Sequence, residues 1–183
     1  EVNTFHYSHH PIKNLHIKSQ LGMNLFFYKS QYFDEPQSVL NHYIGDATNP
    51  GRKIDNGADN FNYDWVNQDS YSFSVNNDHH FNLLAVQEFL KNTTTTYSLS
   101  KKGFASGNLS TQDNGAANDG TNTTTKQDYS LFSLFGEVDY NYKERYLASA
   151  SFRRDGSSRF GSNHKYGNFY SASVGWNIAK EAF

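Results

Sequence analysis

From Leu15 to Phe27 the chain changes character at every residue. The odd positions are Leu15, Ile17, Ser19, Leu21, Met23, Leu25 and Phe27, and the even ones are His16, Lys18, Gln20, Gly22, Asn24 and Phe26. A strand sends successive side chains to opposite faces and separates these two sets, whereas a helix would mix them around its cylinder. The pattern returns in the last third, where Phe132, Leu134, Gly136, Val138, Tyr140 and Tyr142 oppose Ser133, Phe135, Glu137, Asp139 and Asn141. Tyr146, Ala148, Ala150 and Phe152 oppose Ser149, Ser151 and Arg153. Tyr170, Ala172, Val174, Trp176 and Ile178 oppose Ser171, Ser173, Gly175 and Asn177. The fold class is therefore all-β and antiparallel. These strands are long beside the usual about five or six residues and suit the about 9–11 tilted residues of a membrane-crossing strand.

Three less regular segments bring the count to seven strands. Residues Val2–Ser8 open the chain and turn at His10-Pro11. In Phe61–Val75 the aromatic positions Phe61, Tyr63, Trp65, Tyr71 and Phe73 are interrupted by Asn67 and Asp69. That interruption predicts a bulge, or a strand reaching beyond an apolar slab. In His80–Phe89 the set Phe81, Leu83, Ala85 competes with Leu84 and Val86, which leaves the facing open. Short turns at His9–Asn14, Asn76–His79 and Lys143–Arg145 alternate with long polar connections over Ser30–Asn60, Asn92–Lys126 and Arg154–Asn168. Outer-membrane barrels are wired this way, with tight periplasmic turns and long external loops. Tyr71, Phe73, Tyr140, Tyr142, Tyr146 and Trp176 cluster beside the short turns, where an interfacial girdle of rings would sit.

Composition narrows the classes. Aromatic residues make up 16% of the 183, too many for a disordered chain. The longest apolar runs, Leu25–Tyr28 and Leu83–Val86, fall far short of a spanning helix of about 20 residues. A net charge of −2 provides no basic footprint for nucleic acid. With no cysteine there is no disulfide, zinc-thiolate site or cysteine nucleophile. Across the four clean segments the apolar face carries no Lys, Arg, Asp or Glu, while the other face carries Lys18, Glu137, Asp139 and Arg153. A basic residue at the bilayer midplane costs about 2–4 kcal/mol, so this division fits a barrel wall in lipid. It fits equally a soluble sheet that covers its apolar face with a second layer, such as a carbohydrate-binding module.

The stretch SLFGEVDYNYKERYL, residues 133–147, continues into ASFRRDGSSRFG, residues 150–161, and FYSASVGW, residues 169–176. Together these resemble a signature of the SusC/RagA family of TonB-linked outer-membrane proteins. Looser likeness runs upstream through Leu21-Gly22, Trp65 with Tyr71, and His80-Phe81-Asn82 leading to Gln87-Glu88. Asp69 departs from the family pattern, which has an apolar residue there. The resemblance implies a plugged barrel of the 22-stranded type in the outer membrane of Bacteroidetes. It implies import of oligosaccharide or peptide, a SusD-type surface lipoprotein as lid, and energy from TonB acting on an N-terminal plug region outside these residues. Seven strands cannot close such a barrel, so residues 1–183 are expected to be one region of its wall. Phe183 resembles the terminal Phe of outer-membrane barrels, although Lys180-Glu181 does not continue the alternation, and a family sequence cut in mid-course is the preferred reading of that end.

No catalytic centre, cofactor or metal site is expected. Glu137 and Asp139 lie about 6.5–7 Å apart along a strand, a separation that glycosidases use, yet neighbours on one strand point in parallel instead of flanking a bond. His9-His10 and His79-His80 face opposite ways in extended chain and chelate poorly. The oxygen-rich runs 55–60 and 113–122 lack the EF-hand pattern and read as turns. Thr93–Thr96 and Thr123–Thr125 read as flexible polar loop. Arg153 and Asp155 read as an ion pair anchoring a loop, and Tyr32, Phe33, Tyr43 and Phe104 as loop rings able to stack on sugar or on the lid. The candidates for substrate contact are the wet-face residues Lys18, Gln20, Asn24, Glu137, Asp139, Asn141 and Arg153.

Overall fold

The computed structural model describes residues 2–120, 122–161 and 165–181; Phe183 lies outside them. Seven long strands form a meander: β1 (Val2–His9), β2 (Leu15–Asp34), β3 (Arg52–Val75), β4 (His79–Lys102), β6 (Thr123–Tyr142), β7 (Tyr146–Ser157) and β8 (Tyr166–Trp176). A two-residue strand, β5 (Ala117–Asn118), adds to β4. The order β1-β2-β3-β4-β6-β7-β8 is linear, with β1 and β8 at opposite ends. Among the described residues β1 and β8 do not pair, so the sheet is open, whereas a self-contained seven-stranded module would require closure.

Several strands are longer than the apolar alternation foretells. β3 and β4 each run 24 residues, and β2 and β6 each run 20. Thr93–Thr96 lies within β4 and Thr123–Thr125 within β6, so neither is loop. Branching at Cβ favours extended backbone, and the Thr96 and Thr125 hydroxyls hydrogen-bond at 2.6 Å. Where both faces of a strand are polar, no alternation exists to betray it. The long connections accordingly shrink to residues 35–51, 103–122 and 158–165.

By contact density the chain divides into two units. The first comprises Val2–Asn24, Asn62–Asn92 and Tyr129–Phe183. Its faces are those expected from the sequence. Phe5 stands opposite Leu21, Val138 opposite Ala150, Ala150 opposite Ala172, and Tyr146 opposite Trp176 on one side. Phe73 stacks on Phe81 at 4.9 Å, and Phe81 contacts Tyr140 at 4.9 Å, which assigns Phe81 and Leu83 to this apolar face. Leu84 and Val86 therefore belong to the polar side. β3 runs unbroken through the polar interruption. Asn67 accepts from the Ser19 hydroxyl at 2.7 Å, which in turn accepts from Trp65 Nε1 at 2.9 Å, so the odd side chains keep their face. Asp69 stays there too, exposed.

Among the described residues nothing in this unit covers the apolar face. Phe5, Tyr7, Trp65, Leu83, Leu134, Val138, Phe152 and Val174 are all exposed, Val174 by 90%. Each is worth about 1.5–3 kcal/mol when taken fully out of water. Eight left exposed forfeit an amount comparable with the about 5–15 kcal/mol that holds a domain together. This sheet requires an apolar medium or further protein against it.

The short turns dock on one another. Asn76 and Asn77 take the left-handed conformation at φ of 53° and 55°, which asparagine tolerates better than most residues. Lys143 and Glu144 do the same without that advantage. Lys143 N donates to Asp78 O at 2.8 Å and Asn177 N to Arg145 O at 2.7 Å, so each turn supports the next. Glu181 accepts from Arg145, Tyr146 and Trp176 at 3.0–3.1 Å. Donation by Trp176 and then Tyr146 holds its carboxyl below the usual range.

The second unit comprises Leu25–Phe61 and Thr93–Asp128. It holds the one buried hydrophobic side chain among the described residues, Phe104, edge-on to Phe33 at 5.2 Å. Residues 103–120 are fastened to the strands by Gln112 Nε2, which donates to Asp55 at 2.8 Å, by Ser100 Oγ, which donates to Asp119 at 3.0 Å, and by the Arg52–Asp119 pair. Helix α1 (Val39–Ile44) is capped by Ser38 and anchored by buried Asn41, which donates to Pro36 O and accepts from Gly51 N, both at 2.9 Å.

Candidate functional site

In the first unit the polar face presents two separate groups of the expected residues. Lys18 and Gln20 stand opposite Ser8 and His6, on β2; Asn24 is exposed on the same strand. Three strand spacings of about 4.8 Å separate β2 from β6, so these residues do not meet Glu137 or Asp139. Glu137 lies opposite Ser151 and Asp139 opposite Ser149, whose hydroxyl meets that of Ser173 at 2.8 Å. The two carboxylates sit half-buried in a field of hydroxyls with no opposing acid. That arrangement offers hydrogen bonds and negative potential, and no pair of carboxyls flanking a bond. Asn141 serves the backbone: its Oδ1 accepts from Glu144 N at 2.8 Å and braces the turn.

Arg153 is the centre of a network. Its Nε reaches both oxygens of Asp155, at 2.8 and 2.9 Å, and its terminal nitrogen reaches Ser133 Oγ at 3.4 Å and Glu88 at 3.9 Å. The sequence suggests the Asp155 partnership. Glu88 and Ser133 come from other strands, and no local signal marks them. The rest of the RRDGSSRFG run is architectural. Arg154 stacks on Tyr166 at 4.6 Å and Arg159 on Tyr129 at 4.1 Å. The Tyr166 ring lies so close to Gly156 that a Cβ there would be 2.5 Å from it. Ser158 prolongs the pairing of β6 and β7, donating through N to Ser130 O and accepting through Oγ from Ser130 N, both at 2.9 Å.

Among the described residues no three His, Asp or Glu side chains are grouped as metal ligands. Two acids of the oxygen-rich runs are engaged elsewhere: Asp55 with Lys53 and Gln112, and Asp119 with Arg52 and Ser100. In the second unit a cleft of about 310 Å³ brings Tyr32, Asp34, Arg52 and Lys102 together with Leu40 and Ile44 of α1. Lys102 Nζ donates to Asp46 at 2.7 Å. That bond, with the amides of Thr48 and Asn49, holds the Asp46 carboxyl at about 2 against an ordinary 3.8. Of the rings expected on loops, Tyr32 and Phe33 lie instead in β2; Tyr32 lines this cleft and Tyr43 is exposed on α1, whereas Phe104 is buried against Phe33.

No model of a known protein family matches the chain. Individual proteins do. It is 50% identical over 64 residues to TonB-dependent receptor P39 of Formosa agariphila, 35% of this chain and 6% of that protein. It is 28% identical over 188 residues to receptor P26 of the same organism, 100% of this chain and 18% of that protein. It is 43% identical over 53 residues to the TonB-dependent receptor SusC of Bacteroides thetaiotaomicron, 29% of this chain and 5% of that protein. The fold superposes on the structure of the RagAB peptide transporter with a TM-score of 0.83 at 24% identity, covering 98% of this chain and 20% of that one. The chain thus spans a fifth or less of the length of the proteins it matches. Alternating faces, an apolar side that the described residues leave uncovered and an open seven-strand meander agree with those likenesses: the chain is similar to a stretch of the SusC/RagA-type TonB-dependent receptors and has the fold of part of their outer-membrane β-barrel wall.

Proposed function

We propose that this chain helps to form the conduit of a transporter that imports oligosaccharide or peptide across the outer membrane, driven through TonB and capped by a SusD-type lipoprotein. The carrying observation is the open sheet whose apolar face is left exposed by the described residues. In this reading the apolar face of the first unit touches lipid, and its aromatic rings at the short turns, including Tyr146 and Trp176, mark the periplasmic interface. The polar face lines the lumen, where Lys18, Gln20, Asn24, Glu137, Asp139, Asn141 and Arg153 meet water, plug or cargo. The long connections are the external loops, and residues 1–183 form one stretch of a single barrel. The relatives bear the name TonB-dependent receptor, and the superposed structure is described as a peptide transporter.

The segment contains no cysteine, so single cysteines report orientation cleanly. In the full-length receptor in intact outer membranes, Ser173→Cys should react with a membrane-impermeant maleimide and Ala172→Cys should not. Import should cease when the proton-motive force is dissipated. Labelling of Ala172→Cys with protection of Ser173→Cys, or import indifferent to the gradient, overturns the reading.

A further inference from the structure

The histidine rings of the first unit are not equally committed. His79 Nδ1 meets the Tyr140 hydroxyl and His80 Nδ1 the Ser74 hydroxyl, both at 2.7 Å. His9 stacks on Tyr7, which shares the odd face of β1, at 6.1 Å. His10 and His16 touch each other instead, with ring centroids 4.2 Å apart and planes at 89°. Both are exposed, and among the described residues no hydrogen bond or ion pair engages either ring.

Strand register produces this contact. His9 pairs with Ile17, so the same antiparallel register carried one step towards the turn sets His10 opposite His16. Facing positions on one side of such a pair hold their Cβ atoms about 4.5–5.5 Å apart. The turn between them is braced: Leu15 N donates to Ile12 O at 3.2 Å, and Ser72 N of β3 donates to Asn14 O at 3.1 Å. Two imidazoles are thereby held together at the surface, and neither surrenders a hydrogen-bond partner on taking a ligand.

Imidazole nitrogen is a preferred ligand of Cu²⁺, Ni²⁺ and Zn²⁺. Bonds of about 2.0–2.1 Å to one ion bring two ring nitrogens to about 3 Å from each other, a separation that rings already in contact reach by side-chain rotation. Residues 2–33 contain no Asp or Glu, so β1, the turn and this part of β2 offer no carboxylate to Ca²⁺ or Mg²⁺. Asp69 of β3 stands with the odd side chains, on the other face. Lys13 and Lys18 flank the pair in sequence and oppose any cation held by charge alone, which leaves ions that bond nitrogen directly. We propose that His10 and His16 form a binding site for a divalent transition-metal ion, joining β1 to β2 across the turn. Among the described residues no third His, Asp or Glu joins them, so water fills the remaining positions. Cu²⁺ should bind most tightly, and Ni²⁺ and Zn²⁺ less so. The site stands apart from the transporter reading and does not rest on it.

The test reads the two rings directly, in the full-length receptor in detergent. Carbethoxylation of histidine, mapped by mass spectrometry, should be suppressed at His10 and His16 together by Cu²⁺, and at higher concentration by Ni²⁺ or Zn²⁺. Mg²⁺ should protect neither. In His16→Gln the Cu²⁺ concentration that half-protects His10 should rise at least about tenfold, the range in which loss of one of two ligands weakens a metal site. His10→Gln should do the same to His16. His9→Gln, on the opposite face, should leave both protected as in the wild type. All three positions are exposed, so the substitutions leave the fold intact. Protection of His10 that survives His16→Gln, equal protection by Mg²⁺, or no protection by any of the three transition ions would each overturn the site. Those outcomes leave the transporter reading untouched, since that reading stands or falls on gradient dependence and cysteine labelling.

Discussion

Ala172 and Ser171 are neighbours on β8 whose side chains leave the sheet in opposite directions, and a charge placed at each should have very different consequences. Ala172 sits opposite Ala150, which itself sits opposite Val138, in a row of the apolar face. On β8 this face is apolar from Trp176 to Tyr170 and becomes polar at Asn168. The eight steps from Trp176 to Asn168 at about 3.3 Å each make about 26 Å, or about 20 Å of height at the usual tilt of about 40°. Ala172 is halfway. Arginine near the bilayer midplane costs about 2–4 kcal/mol, which is about 30- to 1,000-fold in the folding equilibrium. Ala172→Arg in the full-length receptor should lose that much in urea-dependent folding into phosphatidylcholine vesicles. Ser171→Arg, one residue away on the hydroxyl-rich face beside Ser151, should lose less than about 1 kcal/mol, the usual cost of an unremarkable exposed change. Equal losses would show that both faces meet the same medium. A larger loss at Ser171 would invert the wall.

Other consequences can be checked independently. Gly156→Ala must displace the Tyr166 ring, 2.5 Å from the new Cβ, and should cost about 1–3 kcal/mol by overpacking in the same folding assay. Asn76→Ala places an alanine at φ of 53° and should cost about 1 kcal/mol, with Asn76→Gly nearly neutral. The Asp46 carboxyl, lowered chiefly by Lys102, stabilises its loop at pH above its ordinary 3.8 and loses that effect as pH falls through about 2. Exchange of the Thr48 and Asn49 amides, both donors to Asp46, should therefore accelerate beyond the intrinsic rate between about pH 4 and 2. In Lys102→Met the same acceleration should begin at higher pH, and an unchanged profile in that variant would refute the assignment.

Much of this wall is written in nearest-neighbour order. A period of two is a property of each strand taken alone, so seven strands, their two faces and the short turns were readable from residues such as Leu15–Phe27 and Phe132–Tyr142. The family likeness came from the run around Arg153 for the same reason, because a motif is local. The polar extensions of β4 and β6 were not readable, since Thr93–Thr96 lies where neither face is apolar and propensity is the only remaining signal. Nor was the facing of Leu83 against Leu84. Both neighbours are apolar, and only the stacking of Phe81 between Phe73 and Tyr140 decides which side is which. Glu88 reaches Arg153 across 65 residues and Lys102 reaches Asp46 across 56. Such pairings depend on strand register and loop path, which no single segment encodes. Sequence determined what kind of surface each strand presents; the tertiary structure alone decided which distant side chains share it, because register is set by all the strands at once.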